Sequence, residues 1–415
     1  MIAFVFPGQG SQKIGMGASW VSHPAFELVN EASHILNEDV EYLLLKADID
    51  HLTSTDNAQL ATFLQSLIVL DAVERMGFEP VVVAGHSLGE YTALVAGGAI
   101  SFEDGLKLVK ARGNAMKKAT DIADGSMAAI LGTELKLAEI ACSLAGIDCV
   151  VANDNSSNQI VISGPSEEID KALIYLKQFG AKKTVKLQVG GAFHSRLMAP
   201  ARSELINSLL SVNFRDSSVP IITNIDALPH INGEDFFLLE AAQLTSRVRW
   251  RETMQQLSEM SVSAIVELGP GSVLTGLSKR EPYLKNVQCI SIETPEDLDK
   301  LLRLTDPDIA NLDDEIKQDI VGESLYTKLR VILSPASGTF IPNSSFEFAN
   351  KNPEIPFEKI LKNIVILETG DLIGNVDSVP ILSPFKGILK GLLAIPSRRV
   401  EKSEPLFWLV TTEQD

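Results

Sequence analysis

Residues 80–96 combine three signals that leave a chain few ways to fold. Pro80-Val81-Val82-Val83-Ala84-Gly85 is a short apolar, β-branched run, the composition of a strand buried on both faces. Gly85-His86-Ser87-Leu88-Gly89 follows at once, and residues 91–96 continue as a helix. A serine between glycines at a strand-to-helix turn fits the pattern G-x-S-x-G. Such a turn is too tight for larger neighbours, and it lifts the serine oxygen to the start of a helix. There the dipole and unpaired amides can hold a developing oxyanion. The bland alternative is a glycine-rich turn with an incidental serine. The strand before it and the helix after it favour a nucleophile.

The surrounding chain repeats that alternation. Residues 2–6 read as a buried strand stopped by Pro7-Gly8, and residues 59–74 and 102–118 read as helices. Such alternation predicts an α/β fold with a mainly parallel sheet covered by helices. From residue 126 the order becomes strand 127–131, helix 134–144, strands 149–152 and 159–163, helix 167–179 and strand 183–189. This β-α-β-β-α-β order is that of a ferredoxin-like unit. The expectation is a hydrolase-like large subdomain of residues 1–125 and 190–300 with a ferredoxin-like small subdomain, 126–189, inserted in it. The large part resumes with strand 219–223, helix 250–260 and strand 264–267. Residues 301–324 read as a linker, with 306–319 acidic and polar. Residues 325–415 are rich in β-branched residues, Pro and Gly, and they carry a repeat. Val331-Ile332-Leu333-Ser334-Pro335-Ala336-Ser337-Gly338 matches Pro380-Ile381-Leu382-Ser383-Pro384-Phe385-Lys386-Gly387. Two such halves predict an all-β barrel or sandwich with internal pseudo-twofold symmetry.

Composition excludes several function classes. The chain has 415 residues, 45% hydrophobic and 22% charged, enough for two or three globular units. A net charge of −18 makes it a poor general binder of nucleic acid or anionic membranes. Cys142, Cys149 and Cys289 form no metal or CxxC pattern and read as reduced core thiols. The first apolar run is too short for a secretory signal, and no run of about 20 apolar residues spans a membrane. A cytoplasmic location is expected.

A serine nucleophile needs a base. Of the six histidines, His194 stands at a strand end, in Gly191-Ala192-Phe193-His194-Ser195, where α/β active sites assemble. His86 adjoins the serine and should point elsewhere. His23, His34 and His51 sit in polar surroundings and read as surface residues. No HExxH-type cluster supports a metal.

These motifs together resemble the malonyl-CoA:acyl carrier protein transacylase family, which includes the acyltransferase domains of polyketide synthases. The resemblance spans about residues 1–300. It rests on Phe6-Pro7-Gly8-Gln9-Gly10-Ser11-Gln12, Gly85-His86-Ser87-Leu88-Gly89-Glu90, Ala192-Phe193-His194-Ser195 and Glu267-Leu268-Gly269-Pro270-Gly271, in that order. It implies Ser87 as nucleophile, His194 as base, and Gln9 with the Leu88 amide as oxyanion donors. It also implies that the Gln243 backbone carbonyl orients the histidine, giving a Ser-His dyad without a catalytic carboxylate. Arg112 matches the arginine that grips a malonyl carboxylate through two parallel donors. Phe193 resembles the malonyl-selective form of its motif, crowding an α-methyl group. Lys117 departs from the glutamine common at that position.

The resemblance implies malonyl-CoA as substrate, an acyl carrier protein as partner and no bound cofactor. An acyl hydrolase clearing stalled chains, a transacylase for another acyl group and a catalytically silent scaffold are the alternatives. Arg112 ill suits a neutral acyl group, and intact Ser87, His194 and Gln9 ill suit a scaffold. Carrier docking on so acidic a chain needs a local basic patch. Lys107, Lys110, Lys117 and Lys118 are candidates, with a solvated helix face as the plainer reading. Residues 325–412 resemble a biotinyl/lipoyl-like domain. The hairpin tip that would carry the modified lysine corresponds to Gly374-Asn375-Val376-Asp377-Ser378-Val379-Pro380, which has none. No biotin or lipoyl attachment is expected, and a docking or structural role is.

Overall fold

The computed structural model describes residues 1–305 and, beyond them, 329–343, 348–350, 359–383, 387–392, 399–400, 402 and 405–411. The chain divides into two compact units, Met1–Asp306 and Pro307–Asp415.

The strands of the first unit are β1 (Ile2–Phe6), β2 (Val82–Gly85), β3 (Gly125–Leu131), β4 (Val150–Ser156), β5 (Gln159–Pro165), β6 (Lys183–Lys186), β7 (Ile221–Ile222), β8 (Pro229–His230), β9 (Ala264–Leu268) and β10 (Gln288–Ile292). Six of them form one sheet in the order β10-β9-β1-β2-β7-β8, parallel except at β8. Alternating side chains enter two cores. Phe4, Phe6 and Val83 join one apolar cluster; Ala3, Val5, Val82 and Ala84 join another. A strand buried on both faces therefore reads as a continuous apolar run. Parallel pairing sets Phe6 beside Gly85. The Pro7–Gln12 loop and the serine turn consequently leave the sheet at the same edge, with the Gly269–Gly271 turn after β9.

The inserted sheet has the order β4-β5-β3-β6, wholly antiparallel. The Leu135–Ala145 and Ser166–Gln178 helices pack on it over a core that includes Ala128, Ile130, Cys142, Ile162 and Leu176. Strand order and helix placement are those of a ferredoxin-like unit. Backbone bonds anchor it: Asp154 N donates to the Val248 carbonyl at 2.9 Å, and Val248 N to that of Ala152 at 2.8 Å. β6 ends at Lys186, not 189; beyond it Leu187 and Val189 line the cleft described below, while Gln188 is exposed.

Residues 301–305, assigned above to the linker, belong instead to the Asp299–Thr305 helix, and Leu301 is fully buried. The acidic segment 306–319 lies outside the described residues. All three cysteines are buried free thiols. His23, read above as a surface residue, is buried: its Nδ1 accepts from Ala25 N at 3.0 Å and its ring meets Trp20 edge-on.

The second unit contains β11 (Leu329–Leu333), β12 (Gly338–Pro342), β13 (Phe348–Asn350), β14 (Lys359–Leu367), β15 (Leu372–Val376), β16 (Val379–Leu382), β17 (Gly387–Leu392), β18 (Arg399–Val400) and β19 (Pro405–Thr411). They form two sheets with antiparallel pairing, β11-β19-β17-β14-β13 and β16-β15-β12-β18. The core between them includes Phe340 of one sheet edge-on to Phe407 of the other, 5.3 Å apart. The sequence repeat has a structural meaning. Each copy ends a strand, buries its serine (Ser334 or Ser383) and starts the next strand at its glycine in the opposite sheet. Among the described residues no helix is long and apolar enough to cross a membrane.

Candidate active site

The turn after β2 is as tight as the sequence implies. A Cβ on Gly85 would lie 1.9 Å from the Gly89 carbonyl carbon, and one on Gly89 would lie 2.1 Å from the Phe6 oxygen. Ser87 is held at φ +51°, in the left-handed region that a non-glycine residue rarely adopts. Asn224, just past β7, braces it. Its Oδ1 accepts from Ser87 N at 2.7 Å and its Nδ2 donates to the Gly85 carbonyl at 2.6 Å. Asn224 N donates to the Glu90 carboxylate at 3.2 Å.

Ser87 Oγ lies 2.7 Å from His194 Nε2. His194 Nδ1 faces two acceptors, the backbone carbonyls of Gln243 and Ser246, each at 3.1 Å. Carbonyls only accept, so Nδ1 carries the proton and Nε2 is left to accept from the serine hydroxyl. Burial, then the Arg112 charge, lowers the His194 pKa to about 3, keeping the ring neutral. His86 turns away: its Nε2 pairs with Asn155 Oδ1 at 2.8 Å, and its ring meets Trp250 edge-on.

Arg112, on the Phe102–Ile122 helix, is 1% exposed. Nη1 donates to Gln59 Oε1 at 2.6 Å, and Nη2 to Gln243 Oε1 at 3.0 Å and Ser87 Oγ at 3.1 Å. Its guanidinium also lies over the Tyr91 ring. The Gln243 side chain completes the link, donating from Nε2 to the Ser87 carbonyl at 2.9 Å and to Glu90 at 2.7 Å. Gln243 thus holds His194 by its backbone and Arg112 by its side chain.

Ser87, His194, Arg112, Gln9 and Phe193 line one cleft of about 260 Å³. Leu88 is the N-cap of the Gly89–Ala96 helix, so its amide belongs to the first, unpaired turn. The far wall is Val273, Leu274 and Leu277. Buried Glu267 fixes that wall by accepting from the Leu274 and Thr275 amides at 3.0 and 2.7 Å. The structure therefore brings Ser87, His194, Arg112, Gln9 and Phe193 to one cleft, with Leu88 next to Ser87 in the chain and Gln243 hydrogen-bonded to Ser87, His194 and Arg112. It adds Gln59, Glu90, Asn155, Asn224, Glu240 and Ser246, which motif reasoning missed. A signal existed for two of them: Asn224 follows a strand end, and Gln59 is a buried amide on a largely apolar helix.

The lysines offered as a docking patch all carry partners: Lys107 with Glu103, Lys110 with Glu38, Lys117 with Asp56 and Lys118 with Glu204. That is the pattern of a solvated helix face. Among the described residues no group of three or more His, Cys, Asp or Glu is placed to hold a metal ion.

Comparison with known proteins agrees with this geometry. Residues 3–290 match the acyl transferase domain family. The chain is 39% identical over 303 residues to the malonyl CoA-acyl carrier protein transacylase of Bacillus subtilis, covering 72% of this chain and 95% of that protein. The acyl carrier protein S-malonyltransferase of Vibrio cholerae superposes with a TM-score of 0.70 at 36% identity, over 72% of this chain and 99% of that one. A malonyl-transacylase solved in complex with its type II polyketide synthase acyl-carrier protein gives a TM-score of 0.70 at 33% identity, over 73% and 99%. Through motif order, site geometry and this similarity, the chain belongs to the malonyl-CoA:acyl carrier protein transacylase family of acyl transferase domains.

Proposed function

We propose that this protein transfers a malonyl group from malonyl-CoA to the phosphopantetheine thiol of an acyl carrier protein, through an ester on Ser87. The observation that carries the proposal is the position of one hydroxyl. Ser87 Oγ is 2.7 Å from a neutral, oriented imidazole and 3.1 Å from a buried guanidinium.

In the first half-reaction Ser87 Oγ attacks the thioester carbonyl as His194 Nε2 takes its proton. The Leu88 amide and Gln9 hold the oxyanion. The C–S bond breaks, and coenzyme A leaves with the proton from His194. In the second half the carrier thiol gives its proton to His194 and attacks the ester carbonyl. Ser87 leaves and is reprotonated. Arg112 receives the free carboxylate, which selects a diacid over a simple acyl group and aims it. Phe193 crowds an α-substituent. The imidazolium that forms needs no carboxylate behind it, since the Gln243 and Ser246 carbonyls bear its Nδ1 proton.

The reaction needs no bound cofactor, and a cytoplasmic location fits it. We read the boundaries near residues 126, 190 and 305 as those of the large and small subdomains. The C-terminal unit is read as a biotinyl/lipoyl-like scaffold without an attachment lysine, serving docking or structure. The β15–β16 hairpin, with Asp377 and Ser378 at its tip, supports that reading. The test is incubation with malonyl-CoA and either holo- or apo-carrier protein. Malonyl-carrier forming only with the holo form supports transfer; release of free malonate with no malonyl-carrier would replace it with hydrolysis.

A further inference from the structure

Behind Ser87 and His194, the Gly233–Gln243 helix presents Gln243 and, one turn earlier on the same face, Glu240. Glu240 is fully buried; neither carboxylate oxygen makes a well-formed hydrogen bond, and the polar groups near enough to interact with it are the Tyr91 hydroxyl and the Glu90 carboxyl. A buried acid whose nearest polar partners include a second acid calls for an explanation. Its charged and titratable neighbours are Glu90 and Tyr91 from the Gly89–Ala96 helix and Arg112 from the Phe102–Ile122 helix. The Tyr91 hydroxyl and Arg112 Nε are likewise buried without a well-formed hydrogen bond, and Tyr91 interacts with both Glu240 and Arg112. Glu90, in contrast, is tied down by Asn224 N and Gln243 Nε2. The Ala199–Leu209 helix contributes Arg202, which donates to the Ala241 carbonyl, and the Thr55–Arg75 helix contributes the neutral Gln59.

This cluster has one cation and two acids. Arg112 with one ionised carboxylate is neutral; with both ionised, the site carries net negative charge where water cannot screen it. Burial raises both carboxyls above the usual range, and repulsion from Glu240 raises Glu90 further, while Tyr91 and Arg112 draw Glu240 back down. A substrate carboxylate arriving at Arg112 adds a third negative charge. We infer that Glu240 is the charge-balancing residue of the acyl pocket: when a substrate carboxylate engages Arg112, the Glu90–Glu240 pair takes up a proton from solvent. The inference rests on the malonyl reading of the cleft. Diacid affinity then weakens as pH rises through the range where the pair ionises, by up to about tenfold per pH unit. Binding of a neutral acyl thioester lacks this dependence.

The test is calorimetric. Malonyl-CoA is titrated into the full-length Ser87→Ala protein in phosphate and in Tris, buffers of low and high ionisation enthalpy, between pH 6 and 9. Coenzyme A, which carries the same phosphates, is the control. The expected result is uptake rising toward about one proton per malonyl-CoA bound, with none for coenzyme A. In the added variant Glu240→Gln, uptake is lost and affinity no longer varies with pH. No uptake by the Glu240 protein overturns the inference without need of the variant. Equal uptake in a folded Glu240→Gln protein overturns it too, since the proton would then go elsewhere. Malonyl-CoA binding no tighter than coenzyme A is a different failure, one that removes the carboxylate site itself.

Discussion

Arg112 Nη2 stands 3.1 Å from Ser87 Oγ, so the buried cation and the serine hydroxyl share one hydrogen bond before any substrate enters. In a malonyl thioester a single methylene separates the carboxylate from the carbonyl. On the proposed reading, a cation this close to the Ser87 hydroxyl suits that spacing.

Arg112→Ala should lower kcat/KM for malonyl-CoA about 10²- to 10³-fold, the ~3–4 kcal/mol expected for breaking a buried charge pair. Acetyl-CoA turnover should change far less, narrowing the preference. Arg112→Lys should rescue little, because an ammonium lacks the paired donors. Steady-state kinetics on both thioesters decides it, and equal losses on both would argue against a carboxylate role.

The pH profile should lack a histidine limb. His194 is lowered from 6.5 to about 3, so the neutral base persists well below the ordinary histidine range. From pH 8 down to 5, kcat/KM for malonyl-CoA should show no fall centred near 6.5. Stability should respond in the opposite sense. His23 is lowered to about 4 by burial and the Arg75 charge, and His194 lies lower still. Below 6.5 the unfolded chain binds protons that the folded one refuses, so melting temperature should drop as pH falls from 6.5 toward 4.

Asn224→Ala should strip the partners from Ser87 N and the Gly85 carbonyl, costing about 2–4 kcal/mol of stability. With the serine no longer held at φ +51°, kcat should fall at least about tenfold while KM for malonyl-CoA moves little. Asn224→Asp, which keeps an acceptor for Ser87 N but loses the donor, should be intermediate. Denaturant unfolding and kinetics on the same preparations separate the two effects.

Phe193 is 7% exposed and lines the cleft beside His194. Phe193→Ala should raise the methylmalonyl-to-malonyl ratio of acylation about tenfold, the size of a one-carbon discrimination in an apolar wall. An unchanged ratio would place the selectivity elsewhere.

The residues legible in sequence are those whose neighbours betray them. Ser87 is framed by two glycines with steric reasons to be glycine, and β1 and β2 are apolar because both faces are covered. Glu240, Asn224 and Gln59 gave weaker signals: each acts through partners more than 50 positions away, which only the fold brings near. The Gln243 side chain was missed for a related reason, since its motif role concerned only the backbone. His23 misled because its surroundings were read as polar, although it stands between Trp20 and Phe26, both buried, and meets Trp20 edge-on. In the second unit the repeat was visible, but not that its copies cross between sheets in opposite directions.

The most direct measurement is intact-protein mass spectrometry after mixing with malonyl-CoA, acetyl-CoA or methylmalonyl-CoA separately. The expected result is one malonyl group on the wild-type chain, lost in Ser87→Ala, with little adduct from the other two. Malonyl retained in Ser87→Ala, or no adduct on the wild type, would contradict an acyl-Ser87 route.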